Sequence, residues 1–571
     1  MSYARRFLIS MLLLALIVTA SLSAMHQSDM RYYGSGEVIP IGSRLYVLFD
    51  DLFLLCGHTS PSTSRPWTVA EARNELSKID DSRLSGISLD LFRQISAVIA
   101  EDERCSVFVD ISLNPEVYMH INDTFCLEED WEYGYTKRNP LACLGLNAIH
   151  GGFSIHLELS YGQGRVGDND TLSTIEDYVV NIKGKTYHGA GDAEDEYGYQ
   201  GDFRNLKVVS RSSVYGSGFT FNGLGPSDLE TPRVANITYT WDGFSIGAYR
   251  GQKTWGRSRI GNFIFDSHID RYQYVSAKVF NQKFSLDFTV MFPEPYLGES
   301  NDVSDYGPVR RFFLAHRLDY QFRNNMKISL SENVMYRAVH YADFQYMNPS
   351  TVFHNNLNSG QFNEIAHIEF EYAPFAGFQI YSQLAIDQGS VPFFEDSSTE
   401  DLAAGLTIGT EYAFTTTTGI IDLNFEAVYA TPALYRREAP DFIITTSSRM
   451  PESYLSVPLF TLMGFKYGGD TMAFRLDADY RSGGVCIFAN QSIILKGGFS
   501  VYDEYIPGMF SDEFLSDDIS LISISNVGME YSFNIREKLS AVAFVDTCII
   551  HNEKGTDLQI ACGVKTSYTT L

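Results

Sequence analysis

Strict alternation of apolar and polar residues is the feature that most restricts what this chain can become. "FSIHLELSY" (Phe153–Tyr161) alternates without a break. "KFSLDFTVMF" sets Phe284, Leu286, Phe288, Val290 and Phe292 on one side, and "HIEFEY" does the same with Ile368, Phe370 and Tyr372. "MAFRLDADY" and "MEYSF" repeat the theme further on. Successive side chains of a strand point to opposite faces, so a period of two marks strands with one greasy face. The pattern begins near Ser106 and continues to the end of the chain, interrupted by polar, Gly- and Asp-rich connections such as "GAGDAEDEYGYQGD" and "FNGLGPSD". So many strands close as a large sandwich, a propeller or a membrane barrel. No repeat of propeller-blade length is visible. The connections alternate loosely between short and long, and 35 Tyr and 40 Phe suit the aromatic girdles of a barrel. At about 25 residues per strand and connection, the expectation is an all-β transmembrane barrel of about 16–18 antiparallel strands. The chain ends in Leu571, with Tyr568 only near the end, where barrels often carry a terminal aromatic.

Ahead of the strands the period changes. Arg5 and Arg6 precede the apolar run "FLISMLLLALIVTASL", with Ser23 and Ala24 after it, which is a secretory signal pattern. Residues 1–24 are expected to be removed on export, and 25–37 to form a linker. Residues 38–104 read as a small α-helical segment, a periplasmic bundle or plug, before the barrel at 105–571. "SRLYVLFDDLFLLCG" puts Leu45, Leu48, Phe49, Leu52 and Cys56 on one helical face, with Asp50 and Asp51 on the other. Thr68 and Glu71 stand in capping-box register for a second helix. "SLDLFRQISAVIAED" groups Phe92, Ile95 and Ile99 for a third. The expected location is the outer membrane of a diderm bacterium, with outer-membrane lipid and the barrel insertion machinery as partners.

Composition and motifs exclude much else. A net charge of −27 argues against nucleic acid, whose backbone needs a basic surface. Seven cysteines leave one unpaired, and their spacing predicts no disulfide. "GQGRVG" (Gly162–Gly167) lacks the helix that a dinucleotide site needs. "GFSIG" (Gly243–Gly247) places Ser245 inside a strand, where a nucleophile elbow cannot form. The acidic run Asp192–Asp202 lacks the order of a calcium loop and reads as a solvated connection. No enzyme, cofactor or metal is expected.

"HRLDYQFRNNMKISLSENVMY" (His316–Tyr336) is a hairpin with a histidine and a glutamate on its greasy parity. A two-residue turn at Asn324-Asn325 would oppose the two greasy faces. The expected turn is therefore Asn324-Asn325-Met326, which sets Leu318 against Glu332 and His316 against Val334. His316 and Glu332 then lie diagonally on one face near a rim. The expectation for both is architecture first, ligand second.

These residues carry a resemblance. His316-Arg317, Ser331-Glu332, Asn348-Pro349 with His354, Asn355 and Asn356, Ile386-Asp387 and "LMGFKYGGD" (Leu462–Asp470) are similar to segments of the capsule-assembly Wzi-like family of outer-membrane barrels. "SRPWTVAEARNEL", with its RPWT run at Arg65–Thr68, resembles that family's helical segment. The resemblance implies a barrel with a helical bundle on its periplasmic side, anchoring surface polysaccharide as a lectin and not as an enzyme. It makes His316, Arg317, Glu332, Asn348, Pro349, His354, Asn356, Asp387 and Asp470 the structural or ligand-contact candidates. An acidic capsule would meet the charge of −27 unfavourably, so basic loops or bridging cations would be needed. The alternative is a porin or a solute-specific channel, which needs a continuous wet lumen.

Overall fold

A computed structural model describes residues 32–570, except 101–104, 126–130, 134–136, 163–170, 175–178, 183–184, 189–191, 195–199, 203–208, 213–217, 223–228, 270, 294–309, 339–347, 349–361, 389–400, 437–443, 449–458, 500–507, 511–513 and 537. Eighteen antiparallel strands close into a barrel. In chain order they are β1 (Ser106–Leu113, continued by Glu116–His120), β2 (Ala142–His150), β3 (Phe153–Tyr161), β4 (Leu229–Trp241), β5 (Phe244–Gly251), β6 (Tyr272–Phe280), β7 (Phe284–Met291), β8 (Arg310–Arg323) and β9 (Met326–Ala338). The second half comprises β10 (Phe362–Phe375), β11 (Phe378–Gln388), β12 (Ala403–Thr415), β13 (Ile420–Ala430), β14 (Thr471–Ser482), β15 (Val485–Lys496), β16 (Ser520–Arg536), β17 (Leu539–Asn552) and β18 (Gly555–Thr569).

Each strand pairs with its successor, and β18 returns to β1. Thr566 opposite Leu113 and Gln559 opposite His120 belong to one register, so β1 is a single wall strand interrupted at Asn114-Pro115. Pro115 has no N–H to give, but its carbonyl accepts from Val564 N–H at 3.1 Å and keeps the ladder joined. One greasy parity faces outward all round: Leu330, Ile368, Leu406, Phe425 and Leu476 are all well exposed, as a lipid-facing wall requires. The other parity faces the lumen, polar at mid-height and apolar toward the rim opposite the helices.

Short turns gather at one rim: Gly151-Gly152, Asp242-Gly243, Asn324-Asn325, Ala376-Gly377 and Gly483-Gly484. In barrels of this kind that rim is periplasmic. The helices sit there as well. They are α1 (Arg44–Leu55), α2 (Val69–Leu76) and α3 (Gly86–Val98), joined through one apolar core with Tyr32 and Ile39 that includes Ala413 and Ile420 of the wall. Ser43 caps α1, and Gly57 ends it at φ +71°. A Cβ on Gly57 would lie 3.2 Å from the backbone of Ala376, so the helix end can seat against the β10–β11 turn. The Leu54 carbonyl at the helix end then accepts from Gly57 N–H at 3.0 Å and from Gly377 N–H of that turn at 2.7 Å.

One expectation needs correction. The β8–β9 hairpin does turn at two residues, Asn324-Asn325. Phe322 is bulged out between the Gln321–Lys327 and Arg323–Met326 pairs, which restores the greasy parity without a longer turn. The register moves accordingly: His316 faces Glu332 directly, and Leu318 faces Leu330. Asp51 lies on the polar face of α1, as its position in the helix implies. It is 4% exposed, because that side of α1 meets the charged barrel wall, where Arg481 Nε donates to it at 3.0 Å.

Candidate functional site: the filled lumen

From the end of α1 the chain enters the lumen. His58–Pro66 carries Thr59, Ser60, Ser62, Thr63 and Ser64, all buried. Short hydroxyl side chains let the backbone approach a wall lined by carboxylates. Ser60 N–H donates to Glu371 at 3.1 Å, Ser62 Oγ to Asp319 at 2.8 Å, Thr63 Oγ1 to Glu369 at 3.2 Å and Ser64 Oγ to Asp287 at 2.6 Å. Each of these carboxylates also has a cation. Lys327 lies 3.0 Å from Glu371, Arg317 bridges Asp319 and Glu369, and Lys253 sits 2.9 Å from Asp287. Lys278 joins the wall to the next helix, 2.9 Å from Glu71. Glu71 also accepts from Ser245 Oγ at 2.8 Å, while its N–H is capped by Thr68 at 3.3 Å. Thr68 is therefore a real N-cap, with the Glu71 carboxylate held by Thr68 Oγ1 and the wall, and Ser245 of the G-x-S-x-G run is a buried peg and not a nucleophile. Charges buried at this depth are tolerated only because each is paired and hydrogen-bonded.

The connection from β5 to β6 turns inward from the opposite rim. Its Thr254-Trp255 pairs as a short antiparallel strand with Ser64-Arg65, and Gly256 N–H donates to Thr63 O at 3.3 Å. Gly256 has φ +109°, and a Cβ there would lie 2.3 Å from Asn262 Oδ1, so only glycine fits. Beyond it, Arg257 pairs with Glu411 of the wall and approaches Asp50 of α1 at 3.6 Å. Arg259 reaches Glu411 and Asp422 at 2.7 Å each and Asp479 at 3.2 Å. Arg481 closes the seam by bridging Asp51, Asp422 and Asp479. Outer connection, wall and periplasmic helix thus share one ion-paired seam.

Above the seam the lumen is apolar. Phe263, Ile264 and Phe265 of the same connection, with Tyr435, Met463 and Phe465 from between β13 and β14, join wall residues from Tyr272 on β6 round to Ile550 on β17 in one buried cluster. Backbone groups inside it are satisfied locally. Tyr435 OH donates to Phe263 O at 2.6 Å and accepts from Phe465 N–H at 3.0 Å.

The sequence candidates separate in this frame. Arg317 is a lumenal ion-pair hub, 2% exposed. His316 and Glu332 are half-buried partners on the outward face, with the His316 ring edge-on to Phe288 at 5.4 Å. Asp387 is buried and accepts from Tyr435 N–H at 3.1 Å. Asp470 is a loop clamp at φ +56°, accepting from Ser516 N–H at 2.8 Å and Phe499 N–H at 3.0 Å. Asn348 is exposed. Pro349, His354 and Asn356 lie outside the described residues. The described candidates do not converge on one site. The residues that fill the lumen, Asp287, Lys253, Lys278, Arg257, Arg259, Glu411 and Asp422, were not among them. Their one signal is that acids and bases both occupy the polar parity of adjacent strands.

At the periplasmic rim Glu37 accepts from the backbone N–H groups of Tyr33 and Gly34. Burial, with Asp110 nearby, pushes its carboxyl up to about 7, against the pull of those donors and Arg73. Six of the seven cysteines are described, and all six are free thiols. Among the described residues no cluster could hold a metal ion, and no helix is long and apolar enough to cross a membrane.

No protein-family model matches the chain, and no curated protein matches it by sequence. Solved structures do. The chain is similar to Wzi, an outer membrane protein involved in group 1 capsule assembly in Escherichia coli and described as a carbohydrate-binding β-barrel. The identity is 12%, covering 91% of this chain and 97% of that one, with a TM-score of 0.52. This chain has the fold of an outer-membrane β-barrel. Pseudomonas aeruginosa OpdK (6% identity, 81% of this chain and 98% of that one) and Acinetobacter baumannii OccAB4 (11%, 82% and 99%) align at a TM-score of 0.37. At these identities the likeness bears on the fold alone.

Proposed function

We propose that this barrel is a non-enzymatic holder of surface polysaccharide, of the capsule-assembly type, and not a channel. The observation that carries the reading is the meeting of two segments in mid-lumen: Ser64-Arg65 from the periplasmic side pairs with Thr254-Trp255 from the outer side, under an apolar layer. A diffusion channel needs a continuous wet path, whereas an anchor needs a rigid frame for its outer connections. The likeness to a carbohydrate-binding barrel supports glycan as the ligand class. Planar-bilayer recording and a glycan array test the two halves of the proposal. The expected results are no steady conductance and selective saccharide binding. A stable ohmic current of porin size would overturn the anchor reading, and an array without binding would overturn the glycan.

A further inference from the structure

The plug fills only one arc of the barrel. From β5 round to β13, lumen-facing residues are buried down to the periplasmic rim; Gln379, Glu411 and Asp422 are examples, at 0–3% exposure. From β15 through β18 to β1 the lower lumen is different. Phe488, Glu530, Asp546 and Lys565 point inward by strand parity, yet all are half-buried, as are Ser532 and Ser567 nearer the rim. In the same strands the upper inward residues are buried: Asn526 is 6% exposed, Gln559 2% and Tyr118 1%. The ceiling over this arc is the β1–β2 connection folded inward, with Tyr133 stacked on Phe544 at 5.9 Å and Arg138 over the Tyr118 ring at 4.4 Å. The plug touches the rim at the two ends of the arc, where Arg44 donates to Gly483 O at 2.7 Å and Tyr33 meets Phe108 at 5.7 Å. Between those contacts the described inward residues of the lower wall keep part of their surface accessible to solvent.

We infer that this vestibule is a saccharide-binding site facing the periplasm, for a neutral glycan chain; the inference rests on the glycan-holding reading above. Three observations carry it. The Phe488 ring lies flat on Gly528, where a Cβ would come within 2.1 Å of it, so the platform is fixed to the wall while its residue stays half-exposed. Apolar sugar faces stack on such rings. Glu530 and Asp546 flank it with carboxylates that accept hydroxyl hydrogens. Asn526, more than nine-tenths buried at the top of the vestibule, is hydrogen-bonded to Asp546, and the Oδ1 atom of each, enclosed by its neighbours, has no further partner. Unpaired acceptors of this kind are costly unless a donor-rich ligand or water meets them. Acidic polymers fit poorly beside Asp479, Glu530 and Asp546.

The native thiol of Cys486, inward-facing and half-buried two residues before Phe488, provides the probe. Purified full-length barrel would be labelled with a hydrophilic maleimide, and the Cys486 peptide followed by mass spectrometry. Labelling would be repeated with sized oligosaccharides released by mild acid from the cell's own surface polysaccharide. The expectation is that Cys486 reacts, that the oligosaccharides slow it at least fivefold, and that Phe488→Ala and Glu530→Gln each weaken binding about tenfold with an unchanged melting temperature. Binding that neither protects Cys486 nor changes in either variant would overturn the vestibule while leaving a glycan-holding barrel. An unreactive Cys486 would also overturn it. Oligosaccharides that fail to bind at all would overturn both readings.

Discussion

At the residue scale, the lumen separates charges that hold the molecule together from those that only decorate it. Asp287 has hydrogen bonds from Ser64, Ser276, Thr289, Trp255 and Lys253, and Lys278 lies 4.0 Å away. Asp287→Ala would leave Lys253, 1% exposed, without its counter-ion; the expected loss is about 3–5 kcal/mol. Urea titration monitored by the gel shift of folded barrel measures it. His316→Ala and Glu332→Ala remove one cross-strand pair on the outer face, and each should cost no more than about 1 kcal/mol. Glycan binding that disappeared in either variant while stability held would show that the pair touches ligand. Glu37 adds a pH dependence. Its folded carboxyl is raised to about 7 from 4.5, so its contribution to docking the N-terminal segment is full below 4.5 and is lost as pH rises through 7. Protection of residues 32–43 from protease should therefore strengthen between pH 8 and pH 5, and Glu37→Gln should flatten the profile.

At the element scale, local rules reached far and stopped at identifiable points. The period of two predicted the strands because lipid selects one parity, whatever the partner strand. The capping register of Thr68 and Glu71 predicted α2 because the cap is local. What failed was non-local. The bulge at Phe322 is invisible in a turn rule that counts only Asn324-Asn325. The pairing of Asp51 was out of reach of any local rule because its partner Arg481 lies 430 residues away. The inward β5–β6 connection has no period at all; it is held by wall residues 150 or more positions distant, such as Glu411 and Asp422. Its weak point is Gly256. Gly256→Ala would force an unfavourable φ and drive a Cβ into Asn262 and Gln383. The expected result is an intact barrel with a loosened latch: cleavage by protease between α1 and α2 at least tenfold faster, with an unchanged strand signal in circular dichroism. Equal cleavage rates would mean that the strand pair Ser64-Arg65/Thr254-Trp255 does not hold the plug.

At the scale of the whole molecule, one connection takes part in both closures of the plugged arc. Arg257 and Arg259 lock the polar seam, and a few residues later Phe263, Ile264 and Phe265 build the apolar layer above it. Two barriers on one segment should fail together. Removing both arginines leaves Glu411, Asp422 and Asp479 facing one another with only Arg481 to offset them, and like charges at that depth repel strongly. The combined Arg257→Ala, Arg259→Ala variant should therefore open intermittently in planar bilayers where the native barrel is expected to be silent. Its current should favour cations, because carboxylates would line the path. Silence in that variant would mean that the apolar layer holds without the seam; anion selectivity would place the path outside this ring of carboxylates. Either result would separate the two closures that the fold has placed on a single stretch of chain.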